Sequence, residues 1–301
     1  MRLKQRVSDM TDPAVERNVV ICKVRRLPAP GEVLVRLGEM VKVDTPIARG
    51  RVRNTELVEV RVDQKLGVDA MDVAHYMLKR EGDEVKKDEV IALRRSFFGS
   101  STKILRAPLD GTIEAFSRTS GKLLIRGLPI QIEVNAHIPG RVTELFPLEG
   151  AIVECKGAIA RGAVGVGGEA RGPLEVLANG PGDVLTEDSI TKSHIGKVVL
   201  GGATVTPEAQ IKARSVGVAA LVVGGVDEKD LSGLLGHELN LGDTGMERIG
   251  FTLVSLSGFG TQPLDEDAFR LFKEYEGRLA CVDGTTQIRT RMLRPEVILP
   301  D

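Results

Sequence analysis

One glycine spacing in the chain has a direct chemical meaning: Gly165-x-Gly167-x-x-Ala170 matches a dinucleotide-binding turn. Such a turn lets backbone N–H groups approach a pyrophosphate, and it needs a helix directly after it to aim its N-terminus at the phosphate. Here Gly172-Pro173 leads into Leu174-Glu-Val-Leu177, which reads as a strand. The expectation for this loop is therefore close backbone packing, which only glycine permits. The functional alternative is an anion nest of Gly165, Gly167 and Gly168 between Arg161 and Arg171.

A second set lies further on. Gly201-Gly202, Gly224-Gly225 and Ser257-Gly258 each follow a short apolar run. In open α/β sheets ligands bind at strand C-termini, and a helix N-terminus accepts an anion. Thr204 and Thr206 sit at the first of these turns, with Thr206 as N-cap and Pro207 as the first helical residue. Gly201, Gly202, Thr204, Thr206, Gly224, Gly225 and Gly258 are thus the candidate binding residues for a small anionic molecule. Short turns between strand and helix need glycine in any case.

Other chemistry has little support. His75, His137, His194 and His237 are scattered, with no cysteine or carboxylate at metal-ligand spacing. Cys22, Cys155 and Cys281 are odd in number and far apart, so neither a disulfide framework nor an activated thiol is indicated. No Gly-x-Ser-x-Gly elbow is present. No catalytic residue, metal or cofactor is expected.

The elements that must carry these residues begin with a repeat. Gly38-Glu-Met-Val41-Lys-Val-Asp44-Thr-Pro-Ile47-Ala48 and Gly82-Asp-Glu-Val85-Lys-Lys-Asp88-Glu-Val-Ile91-Ala92 share G-x-x-V-K-x-D-x-x-I-A, 44 residues apart. Gly150 to Ala160 is a looser third copy without the Lys and Asp. Each copy predicts strand–turn–strand–turn with one apolar face. Alternation at Val33, Val35 and Leu37 and over Leu57–Val62 adds strands, and Asp69 to Leu78 reads as a short helix or a strand. From residue 195 the pattern changes to strand 196–200, helix 207–216, strand 218–223, helix 228–235, strand 251–256 and a helix from Leu264 to Phe272. Residues 279–284 and 286–289 read as a closing hairpin, with Arg289, Arg291 and Arg294 on a basic tail.

Gly82-Asp-x-Val85-x-Lys87-x-x-Val90-Ile91, Ala107-Pro108-x-Asp110-Gly111-Thr-Ile113 and Gly121 resemble the biotinyl/lipoyl-like, barrel-sandwich-hybrid family over about residues 76–127. Carrier members of that family present a lysine on a hairpin tip. The matching stretch here, Phe98-Gly-Ser100-Ser-Thr102, has none, and Lys103 is too close to the next strand. The resemblance implies the fold without swinging-arm chemistry, and a connector or docking role. Gly201-Gly202-x-Thr204-x-Thr206-Pro-Glu208-Ala209-x-Ile211-x-Ala213-Arg214 and Val282-Asp283-Gly284 resemble the swivelling phosphohistidine domain of the phosphoenolpyruvate-utilising enzymes. Its phosphate-carrying histidine is replaced by Glu208, so phosphotransfer is not expected.

At 301 residues the chain has room for two or three cores. Lys+Arg (41) balances Asp+Glu (42), so no whole-molecule field points to nucleic acid or an anionic membrane. Aromatics are 3% with no Trp, too few for base-stacking platforms. The N-terminus has no apolar signal core, and the longest apolar run, 216–226, is broken by glycine. The expected setting is cytoplasmic. The expected architecture is multidomain β plus α/β: barrel-sandwich-hybrid-like repeats over 1–130, a glycine-rich β module over 131–192, and a small α/β domain with a partly parallel sheet over 193–301. The leading expectation is a non-catalytic scaffold or docking protein with a protein partner or a second copy of itself. A small-anion enzyme or sensor and an accessory subunit of a cofactor-dependent multienzyme system are the alternatives.

Overall fold

The computed structural model describes residues 15–95, 102–236, 247, 249–287 and 293–301. The hairpin tip at Phe98-Gly-Ser100, His237, Arg289 and Arg291 lie outside the described residues. What is described is mostly β, in several sheets. No helix among the described residues is long and apolar enough to cross a membrane.

The chain enters through β1 (Val15–Arg26), β2 (Gly31–Val33), β3 (Met40–Val41) and β4 (Pro46–Val52). The strand expected to run to Leu37 stops at Val33, and Leu34 N–H then donates to Ile47 O at 2.8 Å. The first repeat copy follows as two turns. Gly38 takes φ +83°, in the left-handed region that favours glycine. Glu39 N–H donates to Arg36 O at 3.1 Å, and the Glu39 carboxylate accepts from Arg36 N–H at 2.8 Å. Thr45 N–H donates to Lys42 O at 3.0 Å, and Thr45 Oγ1 accepts from Lys42 N–H at 2.9 Å.

Between β4 and its partner strand an entire module is inserted. It holds β5 (Leu57–Arg61), α1 (Val62–Leu66), a 3₁₀ turn over Ala70–Tyr76, β6 (Glu84–Val85), β7 (Val90–Arg95), β8 (Thr102–Arg106), β9 (Gly111–Ser117) and β10 (Lys122–Gly127). The second repeat copy makes the same four bonds 44 residues later. Asp83 and Glu89 N–H groups donate to Arg80 O and Lys86 O, while their carboxylates accept from Arg80 and Lys86 N–H groups. Gly38 N–H donates to Val142 O and Gly82 N–H to Ile113 O, each at 2.8 Å, so each copy also meets its partner strand in the same way. The strands pair as β5-β10-β9-β6 with a separate β7-β8 hairpin. Val62, Leu66, Ile91, Ile113, Leu123 and Ile125 fill a core supplied by this module alone.

The chain returns through β11 (Ile130–Asn135), β12 (Gly140–Phe146) and β13 (Gly150–Arg161). β11 pairs with β4 in a register that sets Ile130 opposite Val52, so the inserted module occupies the place of a hairpin turn. Gly150–Arg161 is one continuous strand paired with β1, β12 and a C-terminal strand, not a third strand–turn repeat. Lacking the Lys and Asp whose neighbours close the second turn, this stretch stays extended and buried.

The last part contains β14 (Val164–Val166), β15 (Glu169–Val176), β16 (Val184–Leu185), β17 (Val198–Leu200), β18 (Thr204–Val205), α2 (Pro207–Val216), β19 (Ala220–Val223), α3 (Glu228–Leu235), β20 (Thr252–Ser255), α4 (Glu266–Glu274), β21 (Leu279–Asp283) and β22 (Glu296–Pro300). β15, β17, β19 and β20 run parallel. β17, β19 and β20 are buried at every residue, as strands covered on both faces are. Ala209, Ala213 and Leu231 of α2 and α3 pack on one face with Val199, Leu221 and Leu253. Phe269 and Phe272 of α4 pack on the other with Leu200, Val222 and Val254. Where a closing hairpin of 279–284 with 286–289 is expected, β21 pairs with β22 and Gln287 bridges Leu293, while residues 288–289 lie outside the described residues. Pro300 is tolerated in β22 because pairing with β21 ends at Ile298, which leaves this residue beside β13 alone, as on an edge.

Strand order is β14-β20-β19-β17-β15-β21-β22-β13-β12-β3. One sheet therefore passes from the parallel strands into the first β module. Core clusters cut the chain differently from 1–130, 131–192 and 193–301. Ile21, Ile47, Ile138 and Val153 share a core with Cys281 and Ile298, while residues 57–127 stand apart. Boundaries drawn along the sequence miss this nesting, because an insertion leaves its host in two pieces.

Candidate functional site

The C-terminal ends of β17, β19 and β20 lie side by side, so the glycine turns at 201–202, 224–225 and 258 share one edge of the sheet. They lean on one another: Gly224 N–H donates to Gly202 O at 2.9 Å, and Gly225 N–H to Ala203 O at 2.8 Å. Ser255 Oγ accepts from Gly258 N–H at 3.0 Å and donates to Gly224 O at 3.1 Å. A Cβ on Gly224 would stand 1.8 Å from Gln262 O, and one on Gly225 2.0 Å from Gly260 O. These two glycines are required by backbone contact and are covered by it.

Gly201 and Gly202 instead border open space. A crevice of about 310 Å³ lies there, between the loop after β15 and the end of β17. Strand order turns at this point, since β17 and β21 flank β15 on opposite sides. Asn179, Asp183 and Ser189 supply its polar lining. Asp183 is the only charged side chain lining it, and its carboxylate accepts from Asn179 N–H at 2.8 Å and Gly180 N–H at 3.2 Å.

Thr206 caps α2, accepting from Ala209 N–H at 3.2 Å, as its position in the sequence predicts. Thr204 is half-buried in β18. Neither residue lines the crevice. The charged side chain facing the crevice is the Asp183 carboxylate, which does not favour the expected anion. Asn179, Asp183 and Ser189 were missed by the sequence reading. The turn-rich Asn179-Gly-Pro-Gly-Asp183, directly after an apolar strand, was the available signal.

The loop at 161–171 resolves into packing. β14 and β15 flank Gly167 and Gly168, which take φ +90° and +74°, and no helix follows. A Cβ on Gly167 would lie 2.2 Å from Phe251 O, and one on Gly165 2.5 Å from Gly284 O. The anion nest is corrected as well. Gly167 N–H already donates to the Glu247 carboxylate at 3.3 Å, Arg161 is paired with Glu16, and Arg171 is paired with Asp44.

A partly buried ionic row was not legible in sequence. Glu169, Asp283 and Glu296 are aligned across β15, β21 and β22. From β1, Lys23 meets Asp283 at 3.1 Å and also pairs with Glu296, while Arg25 grips Glu169 at 2.5 and 2.9 Å. Burial works against the Asp283 carboxylate, but Lys23 and Thr285 outweigh it and bring the pKa down to about 2. For Lys23, burial favours the neutral amine, and Glu296 and Asp283 reverse this and raise its pKa.

His75, His194 and the buried cysteines show no chemistry of their own. His75 is exposed, and His194 accepts from Thr191 N–H at 3.0 Å in a capping arrangement. Burial pushes the Cys155 thiol to about 11 and the Cys281 thiol to about 12, so both stay protonated and unreactive. Among the described residues no three His, Cys, Asp or Glu side chains come together in a metal-holding arrangement. Comparison with protein-family models, with curated proteins and with solved structures returns no match to this chain.

Proposed function

We propose that this chain is a docking protein of a cytoplasmic assembly, and that its inserted module carries the docking surface. One observation supports this most: the two repeat copies are built alike but used differently. In the first copy Asp44 is taken up by Arg171 of β15. In the second, Asp88 stands at the same place, is exposed, and has no ion-pair partner among the described residues. Around it opens a groove of about 820 Å³ lined by Lys79, Lys86 and Lys87 beside Glu84 and Asp110, with the exposed Leu128 among them. A turn that grips a strand within the chain is offered outward in its second copy.

In this reading the inserted module is a non-carrier member of the biotinyl/lipoyl-like, barrel-sandwich-hybrid type, and the C-terminal part is an α/β unit of the swivelling kind with Glu208 in place of the phosphohistidine. A cofactor-dependent multienzyme would be one class of partner. The test is co-purification with the triple variant Lys86→Glu, Lys87→Glu, Asp88→Lys. Loss of a stoichiometric partner at unchanged melting temperature is expected. Retention of every partner would sink the reading.

The crevice at Gly201 favours a second reading, a sensor of a small polar molecule. With Asp183 as its charged group, it suits a neutral or cationic ligand better than an anion. Gly201→Val would crowd the wall of the crevice, because a Cβ there already presses on Val223 at 3.0 Å and Leu185 at 3.1 Å, so unchanged thermal unfolding is checked first. A metabolite retained by the wild-type chain and lost in this variant is the outcome expected of a sensor.

A further inference from the structure

His137 is the most unusual side chain in the molecule. It is only 1% exposed, sits at φ +68°, and neither ring nitrogen has a hydrogen-bond partner among the described residues. Positive φ is uncommon for a residue with a side chain, and buried polar atoms are nearly always paired. Asn135 Oδ1, two residues earlier, is buried and unpartnered too. The nearest acid is Glu169, whose Oε2 lies 3.7 Å from His137 Nδ1, beyond hydrogen-bond length.

The residue stands where the first β module meets the C-terminal sheet. Its backbone N–H donates to Val43 O at 3.0 Å, and Ala136 N–H donates to Thr45 O at 2.9 Å. Both bonds hold the turn that carries Asp44, which reaches Arg171 on β15, two residues beyond Glu169. Arg25 joins the same group by donating to Asn135 O at 2.7 Å and to Glu169. Backbone and ring of His137 thus serve opposite sides of one junction.

We propose that His137 is a proton-operated latch between the first β module and the C-terminal sheet. The charged groups facing it are Lys23 and Arg25 from β1, Glu169 from β15 and Asp283 from β21. With the ring neutral, two cations meet two carboxylates. Protonation adds a third cation to a buried site and sets it in competition with Arg25 for Glu169. The ring must then move to close the 3.7 Å gap, which strains the Ala136 and His137 bonds to the Asp44 turn. Burial holds the imidazole below its ordinary value of 6.5, with Glu169 opposing and Lys23 and Arg25 adding to the effect. A depressed histidine contributes stability that is complete above the unfolded value and lost as pH falls through the folded one. Acid therefore opens the latch.

The test is amide hydrogen exchange on the whole chain at about pH 7.5 and about pH 5.5, corrected for intrinsic rates, around the histidine titration range. Protection at Ala136 and His137 is expected to fall by up to about tenfold per pH unit between the ordinary histidine value of 6.5 and the lower folded midpoint, while Leu123 and Ile125 in the inserted core stay unchanged. In His137→Gln the pH dependence at Ala136 should vanish, whereas a merely structural role would lower protection equally at both values. Should that variant fail to fold, NMR titration of the wild-type ring decides, with a midpoint below 6.5 matching the loss of protection. Protection that is flat with pH, a pH dependence that survives in the variant, or a ring midpoint at or above 6.5 would each overturn the proposal.

Discussion

Asp283 shows how much a single charge matters when it is partly buried with its partner. Its carboxylate lies 3.1 Å from Lys23, and removing the charge leaves an ammonium whose remaining acid is Glu296. Breaking a fully buried pair from one side costs about 3–5 kcal/mol and an exposed pair about 0–1, so at this partly buried pair Asp283→Asn should lower stability by about 2 kcal/mol in urea unfolding. The pH sign follows from the same contact. A carboxylate held at about 2 stabilises the native state fully above its ordinary value of 3.8, and this is lost as pH falls toward 2. Acid unfolding of Asp283→Asn should therefore be flatter between those values than that of the wild type. Thr206→Ala, which removes only the cap of α2, should cost about 1 kcal/mol. Thr206 was readable from its sequence because capping is local, with Pro207 beside it. Lys23, Glu169 and Asp283 were not, since they are 146 and 114 residues apart along the chain and only strand register brings them together.

At the scale of elements, the local signals carried furthest where the chain signals its own ends. α3 spans Glu228–Leu235 as the sequence predicts, with Asp227 accepting from Lys229 and Asp230 N–H groups and Gly236 at φ +76° closing it. The doubled repeat was legible because its turns close within four residues. β22 was not, as Pro295 and Pro300 read as a chain ending, and only pairing with β13 and β21 makes 296–300 a strand. Half of the candidate site was visible in the glycines. Its polar lining follows a turn whose side chains acquire meaning only beside Gly201. Gly202→Ala makes this testable: the new methyl carbon would stand 2.2 Å from Asp183 O, so the loop after β15 must shift. Thermal unfolding should show clear destabilisation, with altered exchange at Asn179 and Ala203, both linked to Asp183.

The whole molecule is a host and a guest. The guest, residues 57–127, fills its own core, so Leu123→Ala should cost about 2–5 kcal/mol there. Exchange protection should drop at Ile113 and Ile125 and persist at Val153 and Ile298, which belong to the host. Sequence order concealed this arrangement because the two repeat copies look like neighbours in a row, whereas one lies inside the hairpin that follows the other. Docking is assigned to the guest because its copy of the turn is the one left open. The most direct measurement uses the register at its root. Since Val52 pairs with Ile130, residues 53–129 can be replaced by a two-residue Asn-Gly turn, which joins antiparallel strands at that separation. Wild-type and shortened chains would be compared by quantitative affinity capture, with folding of the shortened chain checked by its exchange-protected host core. The account predicts a folded host that has lost its stoichiometric protein partner. A folded host that keeps every partner of the full chain would contradict it.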